Sequence, residues 1–124
     1  MDKYQALQSF WSGFELEAYD ENIVYGGREA PEFPYITYNV STDSLDFPVP
    51  MSASLWYRSP SWEAISLKTE QIAKEIEENG VIPLDVGYLW IMKGTPFAQR
   101  MNDPSDSMIR RVYLNITAEY LPPH

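Results

Sequence analysis

From Met108 to Leu121 the chain alternates. Val112, Leu114, Ile116 and Ala118 fall on one parity, and Arg111, Tyr113, Asn115, Thr117 and Glu119 on the other. Successive strand side chains point to opposite faces, so this run predicts a long strand with one face buried and the other half-exposed. A strand of that kind needs partner strands and a covering layer. The cover is predicted upstream, where Trp62, Ile65, Thr69, Ile72 and Ile76 recur at spacings of three and four. Glu63, Lys68, Glu70, Lys74, Glu75, Glu77 and Glu78 take the other positions of the same helix. The apolar stripe is barely two heptads long, which suits packing on a sheet better than a coiled coil. Ser59-Pro60 reads as its N-cap and first helical position, and Asn79-Gly80 as its stop.

The remaining segments fill in around this pair. Leu7, Phe10, Trp11 and Phe14 form one face of an amphipathic helix within residues 2–14. Glu15 to Pro34 is rich in acids, glycine and proline and reads as a long loop, with room for a short strand at Ile23–Tyr25. Tyr35–Val40 and Met51–Arg58 read as two strands joined by the polar turn Ser41–Pro50, pairing most simply as an antiparallel hairpin. Val86–Lys93 is almost continuously apolar, which fits either a central strand buried on both faces or one face buried inside an oligomer. Gly94-Thr95-Pro96 is expected to break that strand, and Asn102–Ser107 is a strong turn cluster. The expected fold is α+β, a single domain over residues 1–124. Its order is helix, two strands, helix, two strands, with a mostly antiparallel sheet and the helices packed on one face. The halves echo each other without a trustworthy internal repeat.

Composition narrows the classes of function. Hydrophobic residues make up 44% of the 124, enough to build a core and too many for a disordered chain. No apolar run is long enough to span a membrane, and no charged-then-apolar leader opens the chain. Cysteine is absent, which excludes disulfides, thiolate catalysis and cysteine-ligated zinc and fits a reducing cytosol. The formal charge of −9 is poorly suited to neutralising phosphates. It fits simple solubility, or a surface that repels or mimics DNA.

Residues able to do chemistry are few. The single histidine is His124, at the chain end, so the common nucleophilic triads are not expected. Gly26-Gly27-Arg28 lacks the spacing of a phosphate-binding loop and reads as a plain loop. The carboxylate pairs Glu15/Glu17, Asp20/Glu21 and Asp103/Asp106 sit in turn-rich sequence, where solvated carboxylates are the rule. Asn102, Asp103, Ser105 and Asp106 offer oxygens without the spacing of a calcium loop. No catalytic residue, metal or cofactor is expected.

The aromatic residues suggest contacts instead. Trp11, Trp62 and Trp90 lie in apolar stripes and are expected in the core. Trp56 and Tyr57 must point to opposite faces, so one of them faces away from the helices. Exposed aromatics beside Arg58, Arg110 and Arg111 match what protein interfaces enrich. A stacking surface for single-stranded nucleic acid would also need a basic groove, which the acidic balance disfavours. The segment Pro96–Asp106 is expected as a loop. With the start of the final strand it is the candidate partner surface, formed by Phe97, Gln99, Arg100, Arg110 and Arg111 together with Trp56. The competing role for Phe97 is to plug the core.

The opening Lys3-Tyr4-Gln5-Ala6-Leu7-Gln8-Ser9-Phe10-Trp11, then Pro34-Tyr35-Ile36-Thr37-Tyr38 and Ser54-Leu55-Trp56-Tyr57-Arg58-Ser59, carry a resemblance. So, above all, do Gly94-Thr95-Pro96-Phe97-Ala98-Gln99-Arg100 and Arg110-Arg111-Val112-Tyr113-Leu114-Asn115. Over nearly its whole length the chain resembles the tail terminator, or tail completion, proteins of siphophages and prophages of Gram-positive bacteria. The resemblance implies an α+β domain that assembles as a hexameric ring on the head-proximal end of the tail tube. It implies contacts with further copies of itself, with the major tail tube protein and with a head-completion or connector protein. DNA would pass through the lumen without specific binding, and no membrane would be involved. The implied place is the virion neck, assembled in the host bacterial cytoplasm. The family supplies no catalytic residues. Two other classes stay open: another neck component, such as a head-completion or stopper protein, and an acidic inhibitor that mimics DNA. The spread of carboxylates from Asp2 to Glu119 weakens the second.

Overall fold

The computed structural model describes residues 1–24, 31–40 and 48–123. In chain order the elements are α1 (Lys3–Ser12), β1 (Glu17–Asp20), α2 (Glu21–Val24), β2 (Tyr35–Tyr38), β3 (Val49–Arg58), α3 (Glu63–Asn79), β4 (Val81–Pro83), β5 (Tyr88–Asn102) and β6 (Ile109–Leu121). The six strands form one sheet in the order β1-β2-β3-β6-β5-β4. All neighbours are antiparallel except β1 and β2. The α+β expectation therefore holds at the level of class, while the order of elements is richer than helix, two strands, helix, two strands.

The alternation that predicted β6 sets the architecture. Val112, Leu114, Ile116 and Ala118 are buried, and cross-strand pairing extends their face to Met51, Ala53 and Leu55 of β3 and to Leu89 and Ile91 of β5. Ile36 and Tyr38 of β2 continue the same face, pairing with Leu55 and Ala53. Both long helices pack there. α1 contributes Ala6, Leu7, Phe10 and Trp11, and α3 contributes Ile65, Ile72 and Ile76, to one hydrophobic cluster. Phe10, Trp11 and Phe14 meet edge to face or tilted, at centroid distances of 4.9 to 6.4 Å. Asp2 and Gln5 close a reciprocal capping box at the start of α1, at 2.8 and 2.9 Å. Both long helices lie on one face, as expected, and among the described residues no long helix covers the other.

Several expectations need correction. Within the predicted loop Glu15–Pro34, Glu17–Asp20 is a strand, held by parallel pairing with Tyr35–Tyr38. The expected short strand at Ile23–Tyr25 is not one: Glu21–Val24 forms a helical turn, and Tyr25 lies outside the described residues. The second helix starts at Glu63, three residues later than Pro60. Ser59 and Ser61 hydroxyls accept the N–H groups of Ser61 and Glu63 in turn, and Arg110 donates to the Pro60 carbonyl, so this stretch is held outside the helix. Asn79-Gly80 does end it, and Gly80 is required there. A Cβ would lie 2.5 Å from both the Ile76 and Ile91 carbonyl oxygens.

The largest correction concerns Gly94-Thr95-Pro96. It does not end the strand, because β5 runs on to Asn102. Between the pairs Lys93–Ile116 and Ala98–Leu114, four residues of β5 face Asn115 alone. This is a bulge, the device that lets a strand absorb a proline that cannot donate to the ladder. The Asn115 amide donates to the Pro96 carbonyl at 2.9 Å and fills the gap. The Pro96–Asp106 loop is therefore mostly strand, with the true turn confined to 103–108.

Candidate interaction surfaces

On the helix-free face, one row of side chains crosses four strands. Tyr19 of β1 meets Tyr35 of β2 edge on at 6.3 Å. Tyr35 stacks on Trp56 of β3 at 5.9 Å, with the rings only 13° from parallel. The Arg111 guanidinium of β6 lies 4.5 Å from the centre of the Trp56 ring and 5.8 Å from that of Tyr113. Trp56 Nε1–H donates to the Thr37 hydroxyl at 2.9 Å, and Arg111 Nε–H to the Ser54 hydroxyl at 3.2 Å. Thr37 and Ser54 are buried beneath the row that bonds them, and Ser52 is buried with its hydroxyl and N–H held by the Asn39 side chain. Trp56 thus takes the face away from the helices, while Tyr57 packs against the core.

The predicted contact residues do not form one surface. Gln99 and Arg111 share the helix-free face with Trp56, since Gln99 pairs with Tyr113 and Arg111 with Trp56. Arg100 pairs with buried Val112 and so points to the helix side, as does Arg110, opposite Tyr57. There the two guanidinium groups lie 4.8 and 5.2 Å from the centre of the Trp62 ring, just before α3. Arg110 also donates to the carbonyls of Ser107 and Pro60, while its Nε is buried without a partner among the described residues. Trp62 is half-buried against the core and doubles as the platform for these arginines. Phe97 is half-buried against the same core within the bulge, with the Lys93 ammonium 6.0 Å from its ring centre.

Trp90 must be moved out of the core. It is 39% exposed, beside Tyr88 at 44%, Val81 at 49% and Val86 at 62%. The apolar run Val86–Lys93 is thus neither a strand buried on both faces nor a single element. Leu89 and Ile91 face the helices, Tyr88 and Trp90 face away, and Val86 precedes the strand. Val81 pairs with Trp90, and Pro83 and Leu121 flank Tyr88, which makes one apolar corner of the helix-free face. Composition hid this corner because both parities are apolar. Only size hints at it, since the aromatics Tyr88 and Trp90 share one parity and the aliphatics Leu89 and Ile91 the other.

The candidate chemical residues are engaged in local structure. Asp103 accepts from the N–H and hydroxyl of Ser105, which holds its carboxyl below the usual aspartate range. Asp106 is held low by the backbone N–H of Met108 and then by Arg58, which it meets at 3.0 Å. These carboxylates cap the β5–β6 turn rather than converge. Tyr38 has its hydroxyl pKa raised by burial and by nearby Asp20, and it donates to the Gln8 side chain. Burial raises that of Tyr57 also. Among the described residues no three histidine, aspartate or glutamate side chains gather as a metal site. An open cleft of about 240 Å³ beside Arg100 is lined by Ser66, Thr69, Glu70 and Ala98. Gly26-Gly27-Arg28 and His124 lie outside the described residues. No described helix is long and apolar enough to cross a membrane. No known family model matches the chain, and no curated protein is significantly similar to it.

Proposed function

We propose that this protein is a structural, non-enzymatic virion component. It caps the head-proximal end of a phage tail tube as a ring, most simply of six copies, and joins tail to head. The observation that carries the reading is the exposed corner of Val81, Tyr88 and Trp90. Large apolar groups gathered on one sheet face suit burial in an assembly rather than permanent contact with water. The resemblance to tail terminators supplies the kind of assembly. Its strongest segments fall on the second half of β5 and the start of β6, where Arg100, Arg110 and Arg111 are concentrated. The partners under this reading are further copies, the tail tube protein and a connector on the head side. An acidic ring would let DNA slide through its lumen, because like charges repel.

The test is to mix the purified chain with tail tube subunits of its own phage and view the products by electron microscopy. Tubes that stop growing and carry a ring at one end are the expected result. Tubes that elongate unchanged and bare refute the reading. A ring that binds a head-side connector but never a tube moves the protein to another place in the neck.

A further inference from the structure

Charge is unevenly distributed along the sheet. Arg58, Arg100, Arg110 and Arg111 are four of the nine basic residues. All four gather where β3 ends and the β5–β6 hairpin turns, alongside Asp103 and Asp106. The N-terminus of α3, the positive end of its dipole, lies at the same end, because Trp62 seats two of these arginines. At its other end α3 carries Glu75, Glu77 and Glu78 with no basic residue in the last turn, which opposes the helix dipole. Lys74 and Lys93 answer Glu78 and Glu77 only in part, at the exposed surface. The chain then passes through Gly80 directly into β4, so these carboxylates lie at the same end of the sheet as Val81, Tyr88 and Trp90, on its helix side. Glu119 stands opposite Trp90 on β6.

Tyr88 and Asn102, at the two ends of β5, pair with Leu121 and Arg110 of β6, so the ends lie about 36 Å apart at roughly 3.3 Å per residue of the unbulged strand. Neither end fits its own copy, since arginines would meet arginines or glutamates meet glutamates. Each fits the other, because guanidinium groups seat on exposed indole and phenol rings and pair with flanking carboxylates. The exposed Met101 at the arginine end adds an apolar contact of its own.

We propose that the arginine end of one copy docks on the aromatic, acid-flanked end of a second copy, head to tail. A contact between unlike patches continues from copy to copy until its rotation closes a ring. The inference deepens the ring reading and rests on it for closure, but the pairing of the two ends is tested separately.

The experiment is sedimentation of the full chain over a wide concentration range, at low and high salt. The wild type is expected to pass beyond a dimer, and added salt to weaken it. Arg58→Glu with Arg100→Glu spoils one end, and Tyr88→Ser with Trp90→Ser spoils the other. Each double variant is expected to be monomeric, with association at least tenfold weaker and with the wild-type circular dichroism spectrum. Mixed in equal amounts they are expected to form a dimer and nothing larger, because each retains one good end. A wild type that stays monomeric or stops at a dimer overturns the proposal. So do double variants that assemble like the wild type, and a mixture that stays monomeric. Should either double variant unfold, the single changes Arg58→Glu and Trp90→Ser replace it, with the same outcomes deciding. If wild-type chains cap tail tubes while these variants assemble normally, the ring reading survives and only the docking assignment falls.

Discussion

The two ends of the β5–β6 ribbon use tryptophan in opposite ways. At the hairpin end Trp62 is half-buried, packed on the core and covered by two guanidinium groups, and Trp56 is stacked between Tyr35 and Arg111. At the other end Trp90 stands exposed beside Tyr88 and Val81, and among the described residues no arginine covers it. The same residue type is a structural seat in one place and an open surface in the other. Hydrophobicity alone does not separate the two. What separates them is parity on the strand together with the presence of an arginine whose guanidinium can lie over the ring.

The sharpest way to break this contrast is to delete the rings. Removing a buried tryptophan costs about 3–5 kcal/mol in a core, so half-buried Trp62→Ala is expected to cost about 2–4 kcal/mol and to free Arg100 and Arg110. Trp90→Ala is expected to change the stability of the isolated chain by about 0.5 kcal/mol or less, as for a surface position. Denaturant unfolding of both variants decides, and equal losses would mean that the ends are not different in kind. The aromatic end has a rigid point of its own. Gly87 holds φ +78° in the turn that delivers Tyr88 into β5, and a Cβ there would lie 2.4 Å from the Leu121 carbonyl oxygen. Gly87→Ala is expected to cost about 1–2 kcal/mol from the backbone conformation, with the clash in addition. A variant as stable as the wild type would show that this turn can move.

Much of this was legible where a period ran long enough. β6 and the stripes of α1 and α3 could be read directly, because ten or more residues repeat one spacing against a single core. β1 and β4 could not, since strands of three or four residues carry no pattern and exist only through their neighbours Tyr35–Tyr38 and Tyr88–Trp90. Gly94-Thr95-Pro96 reads as a break because proline cannot serve in a ladder. The bulge that accommodates it depends on Asn115, whose role is invisible until the strands are paired. The start of α3 was misread for a related reason: Ser59-Pro60 is a good local cap, but Arg110 engages the Pro60 carbonyl from another strand. Among the contact residues, the grouping of arginines near the final turn could be seen in the sequence. The split of Arg110 from Arg111 follows from their adjacent places on one strand, but the faces taken by Gln99 and Arg100 could not be read, because the bulge resets the parity of β5 after Lys93.

Acid should affect the arginine end through its turn. Asp106 is held below its ordinary range by the Met108 N–H and by Arg58, and Asp103 by the Ser105 hydroxyl and N–H. A carboxyl whose pKa falls on folding adds stability above its unfolded value of about 3.9 and loses it as the pH drops through the lower folded value. The turn is thus expected to be fully supported from neutral pH down to about 4 and to loosen below that. Protection of the 103–108 amides, taken relative to their intrinsic exchange rate at each pH, should fall there before that of the β5–β6 ladder. Asp106→Asn should exchange faster already at neutral pH and lose part of its acid dependence. Protection that is flat with pH in the wild type would remove these carboxylates from the account.

The smallest expected effect is none at all, and it bears on what the arginines are for. Nucleic-acid affinity grows with the number of phosphates that lysine and arginine neutralise and falls steeply with salt. Nine basic residues stand here against eighteen acidic ones, so any DNA affinity would have to arise at the arginine end. At that end the guanidinium groups are set among rings and acids of their own chain while Arg58 and Arg100 stay exposed. Arg58 meets Asp106, Arg100 and Arg110 lie over Trp62, and Arg111 lies over Trp56 with its Nε–H on Ser54. Guanidinium groups held on rings and acids suit a neighbouring protein surface better than a phosphate backbone with a dense negative field. At moderate salt, fluorescence anisotropy with duplex DNA should therefore show no measurable binding. Salt-sensitive binding in the micromolar range, lost in Arg58→Glu with Arg100→Glu, would turn the arginine end into a nucleic-acid contact and leave the aromatic end without its proposed partner.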